Sequence, residues 1–364
     1  MAARLLGDRS WDGLNPEGLV IESRYDVVVV GCGPAGASAA AACAERGLSV
    51  LIIDRKRSVG VPLRSAGYVP ARLRRRAWFD ESCILQAVEG FRLFLPDGRT
   101  ARAEAPGYIL DRTRLDKTLT LHALECGADL ANGTVVGVSG PKVRFRREGR
   151  EAEVEGGVII GADGPRSAVG RAIGATQVEC MVTAQAEVGL RVPFSAAEVR
   201  FDRQCIGGYM WFFPSGRTAR VGVGVPAPHA GSLRGLLSSF LGYLSGEGRI
   251  YREGVLGYSG GPVPVGGLPS PVQSGCALLA GDAAGCADPV TGSGIYAAIL
   301  SGTLAGRMAS EALSGGGDLV GYRRALERVL RYKTEALAGR LRTWEDLGSL
   351  AERAWRVAEY EEEH

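Results

Sequence analysis

The sequence predicts an α/β fold in which a parallel-sheet domain is assembled from both ends of the chain and interrupted by an antiparallel, β-rich insertion. Three observations predict it. The continuous apolar run Tyr25-Asp26-Val27-Val28-Val29-Val30 ends in glycine, as a strand buried on both faces of a parallel sheet does. A second run of the same style, Cys276-Ala277-Leu278-Leu279-Ala280, lies toward the other end of the chain. Between them, residues about 180–270 form short alternating segments broken by glycine and proline, the habit of antiparallel strands.

In chain order, residues 1–24 form an extension with no assignable element. After the first strand, the alanine-rich stretch from Ala37 to Arg46 reads as a helix that Gly47 stops, and Leu48 to Asp54 as a second strand. Residues 25–54 are thus one βαβ unit. Phe91-Arg92-Leu93-Phe94-Leu95 closing on Pro96-Asp97-Gly98 reads as a strand and turn. Leu115, Leu119, Ala123 and Leu124 repeat at the helical period up to Gly127, and Val154 to Gly161 is another strand. Gly294 to Leu313 makes a long helix, and Tyr322 to Tyr360 is amphipathic and helical. The parallel-sheet domain therefore takes residues 25–80, 108–178 and 270–313, the inserted sheet 81–107 and 179–269, and a C-terminal helical region 314–364.

Composition narrows the function classes. The 43 basic and 40 acidic side chains, with 46% hydrophobic residues, describe a globular chain and rule out disorder as the main state. Acidic residues are interspersed with the arginines, the cluster Arg72, Arg74, Arg75 and Arg76 apart, so no sustained positive face supports nucleic-acid binding. The eight cysteines stand singly, without CxxC and without a Cys/His pairing of zinc spacing, which speaks against a structural zinc and a dense disulfide framework. No metal is expected. Asp8, Asp12, Glu17 and Glu22 in an N-terminus without an apolar core do not read as a secretory signal, and no window approaches a membrane span. A cytoplasmic protein is expected, with contact to a membrane surface compatible. Three scattered histidines, one of them terminal, assemble no hydrolytic triad.

Gly31-Cys32-Gly33-Pro34-Ala35-Gly36 fits G-x-G-x-x-G in the required context: after a strand, opening a helix, with Asp54 closing the next strand. Glycine is needed because backbone N–H groups must approach a diphosphate at a helix start with no Cβ in the way, and Asp54 suits a ribose. This fingerprint alone leaves NAD and FAD open. Further glycine-rich strand ends follow, at Asp163-Gly164 and at Gly281-Asp282-Ala283-Ala284-Gly285, the latter leading into Gly292-Ser293-Gly294-Ile295 and a helix. Asp282 is suited to a ribityl hydroxyl, and the helix start near Gly294 to negative charge developing on a flavin ring. Asp163, taken singly, also fits an ordinary turn. In Tyr209-Met210-Trp211-Phe212-Phe213 the strand period puts Tyr209, Trp211 and Phe213 on one face, either lining a cavity or packing on a core.

With these motifs in this order, and with Ile109-Leu110-Asp111-Arg112 and Val221-Gly222-Val223-Gly224 between them, the chain resembles the FAD-dependent oxidoreductases of the p-hydroxybenzoate hydroxylase-like fold, and within them the geranylgeranyl reductase family. The resemblance runs from about Tyr25 to Leu313. It implies a Rossmann-like FAD-binding domain interrupted by an antiparallel substrate-binding sheet. The motifs themselves put Gly31, Gly33, Gly36, Asp163 and Gly292 among the expected cofactor contacts; the resemblance implies FAD contacts at Ala35, Asp54, Arg112, Val136, Asp282, Gly294 and Ile295, and is compatible with backbone contacts at Ser65, Ala66 and Tyr68. Tyr209, Trp211 and Phe213 would line the substrate cavity. Ser65 stands where family members have a cysteine, so thiolate chemistry is not available there. The reaction implied is reduction of C=C bonds in an apolar, isoprenoid-like substrate by hydride from FADH2.

Two other readings keep the flavin. One is a monooxygenase hydroxylating an aromatic molecule or a protein side chain, since Pro62 to Pro70 is also similar to flavoproteins that modify tryptophan during quinone-cofactor maturation; the substrate would then be a polypeptide. The other is an electron-transfer module, which would have to work through an exposed flavin edge because no iron–sulfur cysteine cluster is present. No second G-x-G-x-x-G is evident, so electrons are expected from an external donor, NAD(P)H or a redox protein.

Overall fold

The computed structural model describes residues 21–330, apart from 63, 64, 77, 79, 206 and the Arg76 side chain. Residues 1–20 of the N-terminal extension and most of the expected C-terminal helix lie outside the described residues.

Two eight-stranded sheets organise the chain. The first strand, β1 (Arg24–Val30), runs parallel to β2 (Val50–Asp54) and to β9 (Arg150–Gly161). Its valines are fully buried, as a central strand covered on both faces requires. Beyond β2 lies β6 (Asp129–Asn132), and beyond β9 lies β16 (Ala277–Leu279), so the two ends of the chain meet in one parallel sheet. A short edge strand β15 (Gln273–Ser274) pairs with β16, while β7 (Thr134–Ser139) and β8 (Lys142–Arg147) form an antiparallel ribbon on β9.

Helix α1 (Pro34–Ala44) is built almost entirely of alanine, starts three residues before the expected position, and is buried along its length from Ala35. It sits between α3 (Arg112–Glu125) and the long α6 (Ile295–Leu313). Small residues allow backbones to touch: a Cβ on Gly302 would stand 2.0 Å from the Ala35 carbonyl oxygen, and one on Gly306 2.5 Å from that of Ala39. Asp111 caps α3 by accepting from the Arg114 N–H at 3.0 Å.

The second sheet runs β14 (Ile250–Pro264), β10 (Cys180–Leu190), β13 (Thr218–Pro226), β12 (Tyr209–Ser215), β11 (Ala197–Arg200), β4 (Ile84–Phe94), β5 (Thr100–Leu110) and β3 (Tyr68–Pro70). It departs from the expected insertion in three ways. The β11–β4 pair is parallel, because the chain re-enters the sheet after crossing the other domain. Strand β3, placed by sequence with the parallel domain, pairs with β5 in this sheet. The region also holds a helix, α5 (Leu233–Gly246), whose Leu233, Leu236, Leu237, Phe240 and Leu244 cover one face of the sheet against Phe212, Val221, Val223 and Val225. Near the C-terminal end of the described chain, α7 (Tyr322–Val329) anchors Tyr322, which donates to the Leu279 carbonyl at 2.6 Å.

Candidate functional site

The glycine loop after β1 is shaped by contacts that exclude side chains. Gly31 has φ +100° and a Cβ there would lie 2.4 Å from the Ala162 carbonyl oxygen; one on Gly36 would lie 1.8 Å from that of Gly31. Over Gly33, by contrast, nothing stands within 4 Å, and no side chain caps the start of α1. The loop thus presents uncapped N–H groups and the positive end of a helix dipole to open space. Asp54, at the end of β2, is buried and holds the loop: Oδ2 accepts from the Cys32 N–H at 2.5 Å and Oδ1 from the Lys56 N–H at 2.7 Å. Ala35 is wedged between Gly281 and Gly302. The Cys32 thiol is pushed up to about 12, chiefly by burial, and sits 3.1 Å from the Thr120 hydroxyl.

A second uncapped helix start opens α6 at Gly294, and it faces a cavity of about 100 Å³ against the second sheet. One wall is the loop Ser65-Ala66-Gly67-Tyr68; a second is Thr291-Gly292-Ser293-Gly294-Ile295; the third is β12 with β10. Asp288 shapes the second wall, its carboxylate accepting from the N–H groups of Val290 at 3.0 Å and Thr291 at 2.7 Å. Asp282, on the single turn Gly281–Ala284, comes to the same place, with Oδ1 3.4 Å from where a Cβ on Gly294 would be.

The aromatic strand divides as its period predicts. Met210 and Phe212 turn toward α5, while Tyr209, Trp211 and Phe213 line the cavity and pack on the inner core with Tyr68 and Phe91, so cavity lining and core packing are both realised. Tyr209 donates to the Thr291 carbonyl, tying β12 to the turn before α6, and burial raises its phenol above the ordinary value. The glycines of Val221-Gly222-Val223-Gly224 acquire a reason: the Trp211 ring lies across Gly222, where a Cβ would come within 2.1 Å of it, and Met181 reaches across Gly224.

Two residues missed in the sequence hold the Ser65–Tyr68 wall. Arg220, 4% exposed, donates through Nη1 to the carbonyls of Ala66 at 3.0 Å and Leu110 at 2.9 Å. Gly67, with φ +89°, leaves room for that guanidinium, since a Cβ would lie 2.1 Å from Nη1. Burial lowers Arg220 to about 10. Gln185 donates through Nε2 to the Ser65 carbonyl at 3.2 Å and to the Ser259 hydroxyl at 2.9 Å. The signal in the sequence was an arginine inside the otherwise apolar strand 219–225, because a buried cation demands partners. The Ser65 hydroxyl accepts from the Gly67 N–H at 3.1 Å and so shapes its own loop.

The residues of the glycine loop, Asp54 and Asp282 are outside the cavity lining, and so are three further expected contacts. Arg112 forms a two-pronged ion pair with Asp116, the nearest N···O distance being 2.9 Å, on the face of α3 beside the glycine loop. Val136 is 43% exposed on β7. Asp163 packs beneath Gly31 and accepts from the Ala168 N–H at 2.6 Å, with Oδ1 buried and unpartnered. Desolvation raises its pKa.

Two uncapped helix starts, a side-chain-free surface over Gly33 at the first and a cavity at the second fit a dinucleotide carrying a flat ring system. The family described as FAD dependent oxidoreductase matches residues 26–90. The chain is 37% identical over 316 residues to digeranylgeranylglycerophospholipid reductase 1 of Methanopyrus kandleri, covering 79% of this chain and 81% of that one. It is 34% identical over 312 residues to digeranylgeranylglycerophospholipid reductase of Methanosarcina acetivorans, covering 80% and 76%. A crystal structure of a geranylgeranyl bacteriochlorophyll reductase-like protein from Thermoplasma acidophilum superposes with a TM-score of 0.80 at 26% identity, over 93% of this chain and 92% of that one. The chain belongs to the geranylgeranyl reductase family and is an FAD-dependent oxidoreductase.

Proposed function

We propose that this enzyme reduces C=C bonds in the isoprenoid chains of a lipid, as the names of its relatives indicate for them. The observation that carries the reading is the cavity: apolar and aromatic on its sheet wall, backbone-lined on the two walls that would hold a flavin. FAD, once reduced, supplies a hydride to the alkene, with a proton completing the reduction. The chain's own residues position and exclude. The N–H groups over Gly33 would hold the diphosphate, Asp54 the adenosine ribose, and Arg112 and Val136 would contact the adenosine side, with Asp163 supporting the loop from below. Asp282 would hold the ribityl chain, and the α6 start at Gly294 and Ile295 would favour negative charge on the ring. Trp211 and Phe213 keep water from the reacting carbon, and Tyr209 fixes the distance between that wall and the α6 start.

Electrons come from an external donor, NAD(P)H or a redox protein. Eight free cysteines suit a reducing, cytoplasmic setting. No helix among the described residues is long and apolar enough to cross a membrane. The edge strand β14 carries exposed Tyr251, Leu256 and Tyr258, which supports docking on the lipid surface that holds such a substrate.

The test is anaerobic. The flavoprotein is reduced chemically and given an unsaturated archaeal-type glycerophospholipid in detergent. Mass spectrometry should show two hydrogens gained per double bond and no oxygen. A product that forms only in air and carries added oxygen would replace this reading with the monooxygenase one.

A further inference from the structure

On the far side of α3, away from the cavity, three side chains of different chemistry converge. Glu45 stands at the C-terminal end of α1, and His122 and Cys126 stand one turn apart at the end of α3. Their ligand atoms all lie within 4.8 Å of one another. The absence of CxxC and of a recognised Cys/His zinc spacing predicts no metal. On a helix, four residues of separation puts His122 and Cys126 on one face.

We propose that Glu45, His122 and Cys126 form a binding site for a borderline divalent cation of the zinc class, His122 and Cys126 chelating and Glu45 orienting the imidazole. The geometry assigns the roles. Cys126 Sγ lies 3.9 Å from His122 Nδ1, whereas the edge of a tetrahedral site with ordinary Zn–N and Zn–S bonds is about 3.5 Å, so chelation needs only a small side-chain adjustment. Glu45 Oε1 lies 3.2 Å from the other ring nitrogen, Nε2. A carboxylate there keeps the proton on Nε2 and leaves the Nδ1 lone pair facing the thiol, the arrangement that backs metal-bound histidines. Trp78 stacks on the imidazole with centroids 4.5 Å apart and planes 6° from parallel, which fixes the ring plane. Water fills the remaining coordination positions, making this an open site.

Cobalt(II) is the probe, because its thiolate charge-transfer and ligand-field bands report ligand type and coordination number. Reduced, chelator-washed holoenzyme is titrated with cobalt(II), then with zinc in competition. The expected result is one equivalent bound in four-coordinate form, displaced by zinc. Cys126→Ser should abolish the charge-transfer band, His122→Gln should weaken binding by more than a hundredfold, and Glu45→Gln by roughly ten- to a hundredfold. Cys276→Ser, altering another half-buried thiol, should bind as the parent does. The bound-flavin spectrum and the melting temperature establish that each variant is folded. Absence of saturable binding at one equivalent, or a charge-transfer band that survives Cys126→Ser in folded protein, overturns the site.

Discussion

Replacing Arg220 with methionine separates fold stability from cofactor retention. Arg220 is buried, and among the described residues no carboxylate lies within ion-pair distance of it. Its shift from the ordinary 12.5 to about 10 corresponds to a burial cost of about 3 kcal/mol. Against this stand two hydrogen bonds from a charged donor, each worth about 1.5–3 kcal/mol. The difference is about 0–3 kcal/mol in favour of the arginine, so Arg220→Met should change the stability of the apoprotein by no more than about 3 kcal/mol, since removing the cation also removes its desolvation. The Ala66 carbonyl, however, loses its tether, and with it the loop that forms one wall of the cavity. If one tether is worth about 1.5–3 kcal/mol to the ordered loop, FAD affinity should fall roughly tenfold to a hundredfold. Urea unfolding of the apoprotein and fluorescence titration with FAD measure the two quantities independently. A large loss of apoprotein stability with unchanged FAD affinity in the folded fraction would refute the argument.

Other expectations follow from single contacts. Gly302→Ala drives a methyl into the Ala35 carbonyl, 2.0 Å away, and should cost about 1–3 kcal/mol by calorimetry while loosening the glycine loop. Asp163 has a raised folded pKa, so the folded state holds its proton more tightly than the unfolded chain. Its contribution is greatest in acid and is lost as pH rises from the unfolded 3.8 through the higher folded value. Asp163→Asn should remove that segment of the stability–pH curve and leave the Ala168 bond intact; an unchanged curve would show that the buried carboxyl is not responsible. Cys32 and Cys43, both pushed up to about 12, should resist iodoacetamide at pH 8 in native protein and react once it is denatured, as peptide mapping will read.

The parts of the site that were legible are those where local chain chemistry decides the conformation. The glycine loop follows from its strand, its spacing and Asp54, and the division of Tyr209–Phe213 between two faces follows from the strand period. Helix α5 shows its apolar stripe in the sequence at Leu233, Leu236, Leu237, Phe240 and Leu244, but it lies inside a region whose glycines and prolines suggested strands throughout. The parallel β11–β4 pair joins segments far apart in the chain, which no local period encodes. The Ser65–Tyr68 wall was identified by resemblance, yet what holds it lies 120 and 154 residues away, at Gln185 and Arg220. The His122–Cys126 pair takes its proximity from helical phase, which puts residues four apart on one face, and its third member Glu45 comes from a different helix, which no local spacing encodes.

The close seam between α1 and α6 has a consequence for biosynthesis. The Cys43 thiol meets the Gly306 carbonyl across 263 residues, and Ala35 and Ala39 press directly on Gly302 and Gly306. While the chain is still emerging from a ribosome, α1 therefore has no neighbour on that side until α6 has been translated. A nascent or truncated product ending before Gly302 should expose a bare alanine surface for chaperones or proteases to find.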